Sequence, residues 1–235
     1  MITGHRGAAL LAPENTLVGI ERAAQSGAQW VEIDTQLTAD DIPVIIHDQS
    51  VNRCTNGEGK VSELDLKTLK TLDAGSWFHN DFAGTRIPTL VEALNKCVEL
   101  NLSLNLEIKL YGDDQAERLV KAVAETITTH QYPLDRLLIS SFSADVLSLC
   151  RRYLPKVRLG YICEQWHDDI LEKLNPLDLF SVHIDHKALT PNIAKSILKQ
   201  GFILKIWTLN DPEKVQYFYD LGVNNIITDM PDQLQ

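Results

Sequence analysis

Charged residues recur at a spacing that could do chemistry: Glu32 and Asp34 lie two apart in the run from Trp30 to Gln36, and Glu107 and Lys109 repeat that spacing at the end of another apolar run. Alternate residues of a strand project from one face, so each pair points together. A third segment, Pro43 to His47, also reads as a strand, but only about eight residues separate it from Asp34, too few for a parallel crossover. It is expected to be a hairpin partner turning at residues 39–42, which sets His47 opposite Asp34, on the same face. Three carboxylates in one partly buried place cannot all be ionised unless a cation neutralises them, and a hard divalent ion such as Mg²⁺ or Ca²⁺ suits oxygen ligands. Taken singly, each acid could instead be a solvated strand-end charge or a partner of Arg6 or Lys109.

His5 and His47 could supply an acid and a base, because imidazole titrates near neutrality without large perturbation. Arg6 presents a planar fork of donors suited to a phosphate and Lys109 a compact cation. Phe142, Trp207 and Asn210 fall at later strand ends, where they could shape a pocket or simply pack. Asp229 could bind a ligand or make a turn. The remaining histidines, His79, His130, His167, His183 and His186, form no comparable constellation and read as structural or surface residues.

The elements that must position these residues alternate regularly. Short β-branched runs at 1–4, 30–36, 104–108, 137–141, 158–162, 179–184, 204–208 and 225–228 are separated by helical stretches with good start signals at Asn15, Thr89, Ser143, Thr190 and Asp211. Gly27, Gly201 and Gly222 stand where helices should stop. Eight βα repeats in 235 residues predict a TIM (β/α)8 barrel forming a single domain over residues 1–235. Polar strand ends then converge at its C-terminal mouth. Beyond the hairpin strand, an insertion at about residues 49–87 is too long for a plain loop. Leu64, Leu66, Leu69 and Leu72 fit a short amphipathic helix there, with Trp77, Phe78 and Phe82 expected to pack a satellite core.

Bulk properties narrow the partners. A formal charge of −10 argues against nucleic-acid binding, which needs clustered cations. No stretch approaches the ~20 apolar residues of a membrane span, so no stable membrane insertion is expected. With no basic, apolar leader in the first residues, a cytoplasmic location is expected. Cys54, Cys97, Cys150 and Cys163 are too scattered for a zinc site or disulfide scaffold and are expected to be free.

The ordered set His5-Arg6-Gly7, Pro13-Glu14-Asn15-Thr16, Glu32-Ile33-Asp34, His47-Asp48, Glu107-Ile108-Lys109, Ser141-Phe142, Trp207-Thr208-Leu209-Asn210 and Thr228-Asp229-Met230-Pro231 resembles the glycerophosphodiester phosphodiesterase family along nearly the whole chain. The resemblance implies a TIM barrel in which Glu32, Asp34 and Glu107 hold one divalent ion, Mg²⁺ first, with Ca²⁺ or Mn²⁺ as alternatives. It further implies that His5 and His47 act as acid and base. Arg6, Lys109, Glu14, Phe142 and Trp207 then fall to phosphate and substrate. The reaction implied is hydrolysis of a small glycerophosphodiester to sn-glycerol 3-phosphate and an alcohol, by attack of the glycerol 2-hydroxyl through a cyclic phosphate. The alternatives are a phospholipase-like activity on lipid phosphodiesters and a non-catalytic module binding metal or phosphate. Asp41 departs from the family's usual turn glycine, yet Asp tolerates a left-handed backbone, so the hairpin is expected to form.

Overall fold

The computed structural model describes residues 1–112 and 115–234. Among the described residues there are nine strands: β1 (Ile2–Gly4), β2 (Trp30–Leu37), β3 (Pro43–Ile45), β4 (Ser103–Ile108), β5 (Leu137–Ser141), β6 (Arg158–Cys163), β7 (Ser181–Asp185), β8 (Ile203–Trp207) and β9 (Asn225–Thr228). Each barrel strand pairs in parallel with its neighbours, and β1 pairs with both β9 and β2, so eight strands close on themselves. Only β3 lies outside the ring, antiparallel on β2. The TIM barrel and hairpin strand read from the sequence are thus both present.

Helices α1 (Leu17–Gln25), α2 (Leu66–Leu69), α3 (Leu90–Glu99), α4 (Ala116–Thr129), α5 (Ala144–Tyr153), α6 (Leu171–Leu174), α7 (Pro191–Lys199) and α8 (Val215–Asp220) surround or extend the ring. Their starts follow local chemistry. Thr89 caps α3 while Glu92 returns a bond to the cap, Ser143 caps α5 and Thr190 caps α7. The first of these starts differs from expectation: Asn15 is left-handed (φ 56°), and Thr16 caps α1 instead. The longest described helix, α4, starts without a side-chain cap bond from Gln115. A cap is worth ~1 kcal/mol, whereas burying one large aliphatic side chain is worth about 1.5–3. The buried face of Leu119, Val120, Val123 and Ile127 therefore decides that α4 forms.

The main core lies between ring and helices, where Val31 and Ile33 of β2 and Leu104 and Leu106 of β4 face outward. Their alternates, Glu32, Asp34, Asn105 and Glu107, are buried without belonging to that core, and Glu32, Asp34 and Glu107 converge inside the ring. A second, aliphatic cluster of Val44, Ile46, Val51, Val61, Leu69, Ala74 and Ile87 seats the insertion on β3. The aromatics expected there form a different feature: Trp77, Phe78 and Phe82 make an edge-to-face stack at the surface, outside that cluster.

The hairpin turns where expected, with Asp41 left-handed at φ 61°. Its register corrects one expectation. Thr35 pairs with Ile45, and Ile46 N–H donates to the Asp34 carbonyl, so Ile46 rather than His47 lies opposite Asp34. A one-residue slip would turn His47 to the wrong face. The ladder stops at Ile45, however, and the buried Gln36 amide reaches the carbonyls of Ile46, His47 and Asp48 at 2.9, 2.9 and 2.7 Å. That bend redirects His47 into the mouth. All four cysteines are buried and unpaired. Among the described residues no helix is long and apolar enough to cross a membrane.

Candidate active site

Asp34 and Glu107 are register partners on β2 and β4, and Glu32 lies one step below Asp34 on the same face. One carboxylate oxygen from each of the three falls within 4.8 Å of the others. All three are buried, and Asn15 fixes Asp34 by donating its side-chain amide at 2.8 Å while accepting the Asp34 N–H at 3.1 Å. Arg6 N–H donates to Glu32 Oε2 at 2.9 Å, whereas Glu32 Oε1 has no protein partner. The backbone makes this contact by taking Arg6 into the left-handed region (φ 49°) ahead of Gly7 (φ 93°), where any side chain would strike Gly19 backbone within 2.6 Å.

Two cations face the acids. Lys109 donates to Glu107 at 2.7 Å and lies 3.7 Å from Asp34, while Arg6 Nε is 3.5 Å from Asp34. Their effect is uneven. Burial raises the Asp34 carboxyl, but Lys109 and Arg6 outweigh it and hold the group below its ordinary range. Burial, then repulsion from Asp34 and Glu107, pushes Glu32 well up. Burial and Asp34 lift Glu107 to about 7 despite Lys109. The cluster therefore holds protons at neutral pH unless a cation replaces them.

Each expected histidine has a carboxylate behind it. His5 Nδ1 is 2.6 Å from Asp229 Oδ1, and Asn210 donates to the other oxygen at 2.6 Å. His5 Nε2 is left 4.0 Å from Glu32. His47 Nδ1 is 2.7 Å from Asp48 Oδ1. Arg53, from the insertion, grips both Asp48 oxygens at 2.6 and 2.9 Å and both Glu14 oxygens at 2.8 and 2.9 Å. Glu14 in turn accepts from Arg6 at 2.9 Å, so one guanidinium ties the backing of His47 to the backing of Arg6. Burial lowers the pKa of His47, and Arg6 and Lys109 lower it further against the pull of Asp34, which favours the neutral ring.

These side chains open on a cavity of about 540 Å³ at the C-terminal ends of the strands. His5, Arg6, His47, Lys109 and the three carboxylates line it, with Phe142 and Trp207 meeting edge to face at 5.7 Å on its rim. Lys109 Nζ stands 5.5 Å over the Phe142 ring. Glu14 sits behind Arg6 and is absent from the cavity lining, as are Asn210 and Asp229, which stand behind His5. Residues that sequence reasoning passed over also belong here. Arg53 carried no signal but its charge, Asp48 was visible only as a motif neighbour, and His183, grouped above with structural histidines, lines the cavity with Asn105.

A closed βα ring with acids, bases and cations gathered at its C-terminal mouth is the layout of a TIM-barrel enzyme. The sequence profile of the Glycerophosphoryl diester phosphodiesterase family matches residues 5–233, and the chain belongs to that family. A glycerophosphodiester phosphodiesterase of Caldanaerobacter subterraneus subsp. tengcongensis is 35% identical over 243 residues, covering 100% of this chain and 96% of the relative. One from Bacillus altitudinis is 30% identical over 237 residues, covering 99% and 95%. Among solved structures, an Oleispira antarctica phosphodiesterase in complex with the product sn-glycerol-3-phosphate superposes with a TM-score of 0.96 at 34% identity, covering 100% of this chain and 95% of its own.

Proposed function

We propose that this chain hydrolyses glycerophosphodiesters to sn-glycerol 3-phosphate and an alcohol, working as one catalytic domain over residues 1–235. The observation that carries the reading is the carboxylate cluster set between two carboxylate-backed histidines at 2.6 and 2.7 Å. Family membership and the product bound by the Oleispira relative supply the substrate class.

Glu32, Asp34 and Glu107 fit one divalent ion. The donor set is all oxygen, the acids are too crowded to ionise together, and Glu32 Oε1 lacks any other partner. Mg²⁺ suits this set best, with Ca²⁺ or Mn²⁺ as the alternatives. When bound, such an ion supplies Lewis-acid neutralisation of phosphate charge and eases ionisation of a nearby hydroxyl.

The remaining steps belong to the side chains. His47, kept neutral and oriented by Asp48 through Nδ1, takes the proton of the glycerol 2-hydroxyl at Nε2 as that oxygen attacks phosphorus. His5, fixed by Asp229, gives a proton to the departing alcohol oxygen. The resulting cyclic phosphate is opened by water with the two imidazoles in exchanged roles, which restores both. Arg6 and Lys109 hold the nonbridging oxygens as charge grows on them. Glu14 acts by fixing the Arg6 guanidinium, and Phe142 with Trp207 forms the apolar side of the path taken by the alcohol. A panel of glycerophosphodiesters scored for released glycerol 3-phosphate tests the reading. Release from at least one diester is expected, and silence across the panel from folded, Mg²⁺-supplemented protein would defeat it.

A further inference from the structure

The barrel interior beneath the carboxylates is polar where such rings are usually filled by branched aliphatic side chains. Asn105 is the register partner of Glu32 on β4, two residues before Glu107 on the same face. Ser140 on β5 is the register partner of Glu107, and His183 on β7 is the register partner of Ile162 on β6. All three are at least 99% buried. Both ends of the Asn105 amide, Ser140 Oγ and His183 Nδ1 make no hydrogen bond within the protein. Asn105 and His183 line the same cavity as the carboxylates and form its polar floor, whereas Ser140 is not among the lining residues.

The floor is built, not accidental. Ser181 Oγ holds His183 Nε2 at 2.9 Å, which leaves Nδ1 as the free nitrogen. The ring fits only because residue 160 is glycine: a Cβ there would stand 2.7 Å from His183 Nε2 and 2.9 Å from Ser181 Oγ. Burial and the nearby Lys205 keep the imidazole neutral, so it offers a hydrogen-bonding site without charge.

We propose that Asn105 and His183 form a polyol subsite that receives the terminal hydroxyl of the substrate glycerol. The inference rests on the hydrolysis proposed above and adds what selects the glycerol end. A hydroxyl both donates and accepts, matching an amide whose NH2 and carbonyl are both free. Phosphate oxygens only accept, and their charge would face Glu32 and Glu107. The glycerol 2-hydroxyl is engaged at phosphorus, which leaves the terminal one. Acylating that hydroxyl removes its donor and drives a chain into a closed ring, so the subsite turns lysolipids away.

The test compares glycerophosphocholine with the diester whose terminal hydroxyl is replaced by hydrogen, propane-1,2-diol phosphocholine, which keeps the attacking 2-hydroxyl. A site that hydrogen-bonds a hydroxyl in a buried place rejects the analogue lacking it, here by about 10- to 100-fold in kcat/KM for the Mg²⁺-supplemented wild-type protein. Asn105→Leu should bring the ratio of the two substrates to within about twofold of one. Equal use of both by the wild type overturns the subsite, and so does an Asn105→Leu variant that lowers both in proportion, the result for a residue holding only an internal water. The wild-type comparison stands even if the variant does not fold. If neither phosphocholine diester is cleaved, the pair is remade with a head group that the panel shows to be cleaved; if the whole panel is silent, the hydrolytic reading falls on its own, and calorimetry then decides the subsite. It predicts that sn-glycerol 3-phosphate binds at least about tenfold tighter than propane-1,2-diol 1-phosphate, and equal affinities overturn it.

Discussion

Loading the carboxylate cluster with a divalent ion should expel protons, and the site sets how many. Burial and repulsion hold Glu32 well above its ordinary range and lift Glu107 to about 7, while Lys109 and Arg6 overcome burial to keep Asp34 ionised. At pH 7 the metal-free cluster therefore keeps part of a proton on Glu107, and Glu32 is displaced in the same direction. Three carboxylate ligands must be ionised to bind an ion, so titration calorimetry in buffers of different ionisation enthalpy should read a net proton release near neutrality, smaller in Glu32→Gln. Apparent affinity should climb by up to about tenfold per pH unit just below neutrality as Glu107 ionises. Stability carries the same signature. A carboxyl whose pKa is higher folded than unfolded binds more protons in the folded state between those values, so its contribution is present at low pH and lost as pH rises from about 4.5 to about 7. For Glu107, buried and lifted to about 7, the loss is about 3 kcal/mol. Glu107→Gln should thus stabilise the metal-free protein by about that much at pH 8 and by little at pH 4. Equal heats in every buffer, with an affinity flat from pH 6 to 8, would show that the acids do not share a cation.

Other perturbations probe the supports of the site. Arg53→Met cuts the tie between Asp48 and Glu14 and should lower kcat/KM by about 10- to 100-fold, with partial rescue by added guanidinium; unchanged kinetics would make the clamp ornamental. Asp229→Asn leaves His5 without its anionic partner and should cost ~10²-fold or more in kcat, as steady-state rates at saturating diester would show. Lys205 is buried in the ring with its ammonium over Trp30, and burial draws its pKa from 10.5 to about 7. Because the unfolded chain binds the extra proton between those values, this penalty of about 5 kcal/mol is full below pH 7 and fades as pH rises towards 10.5. Lys205→Met should therefore raise the melting temperature most near pH 6, and a gain independent of pH would contradict the buried-charge account.

Much of this arrangement was written into local sequence. Period-two alternation put Val31 and Ile33 on one side of β2 and Glu32 and Asp34 on the other, because a strand has only two faces and one of them packs on helices. Caps at Thr89, Ser143 and Thr190 marked helices whose first-turn amides need partners. What escaped depended on distant contacts. His47 was placed by assuming the hairpin ladder runs on, whereas the Gln36 side chain ends it, a bond no periodicity encodes. Arg53 joins Glu14 across 39 residues, and a surface arginine in a loop looks the same in sequence whether or not it finds such a partner. The satellite core drew on aliphatic residues of the hairpin strand's end together with those of the insertion, so the aromatic triplet, conspicuous by size, was the wrong guide. His183 gave no signal because its significance lies partly in Gly160, which the neighbouring strand's register brings alongside it and Ser181.

The central claim is that Glu32, Asp34 and Glu107 share one cation without which the two histidines cannot turn over a diester. Chelation followed by separate return of Mg²⁺, Mn²⁺ and Ca²⁺, with glycerol 3-phosphate release as the readout, tests it most directly. The account predicts that the stripped protein loses at least about 99% of its activity, that one of these ions restores it, and that Glu107→Gln stays inactive at any ion concentration. Undiminished release from the metal-free protein would contradict it.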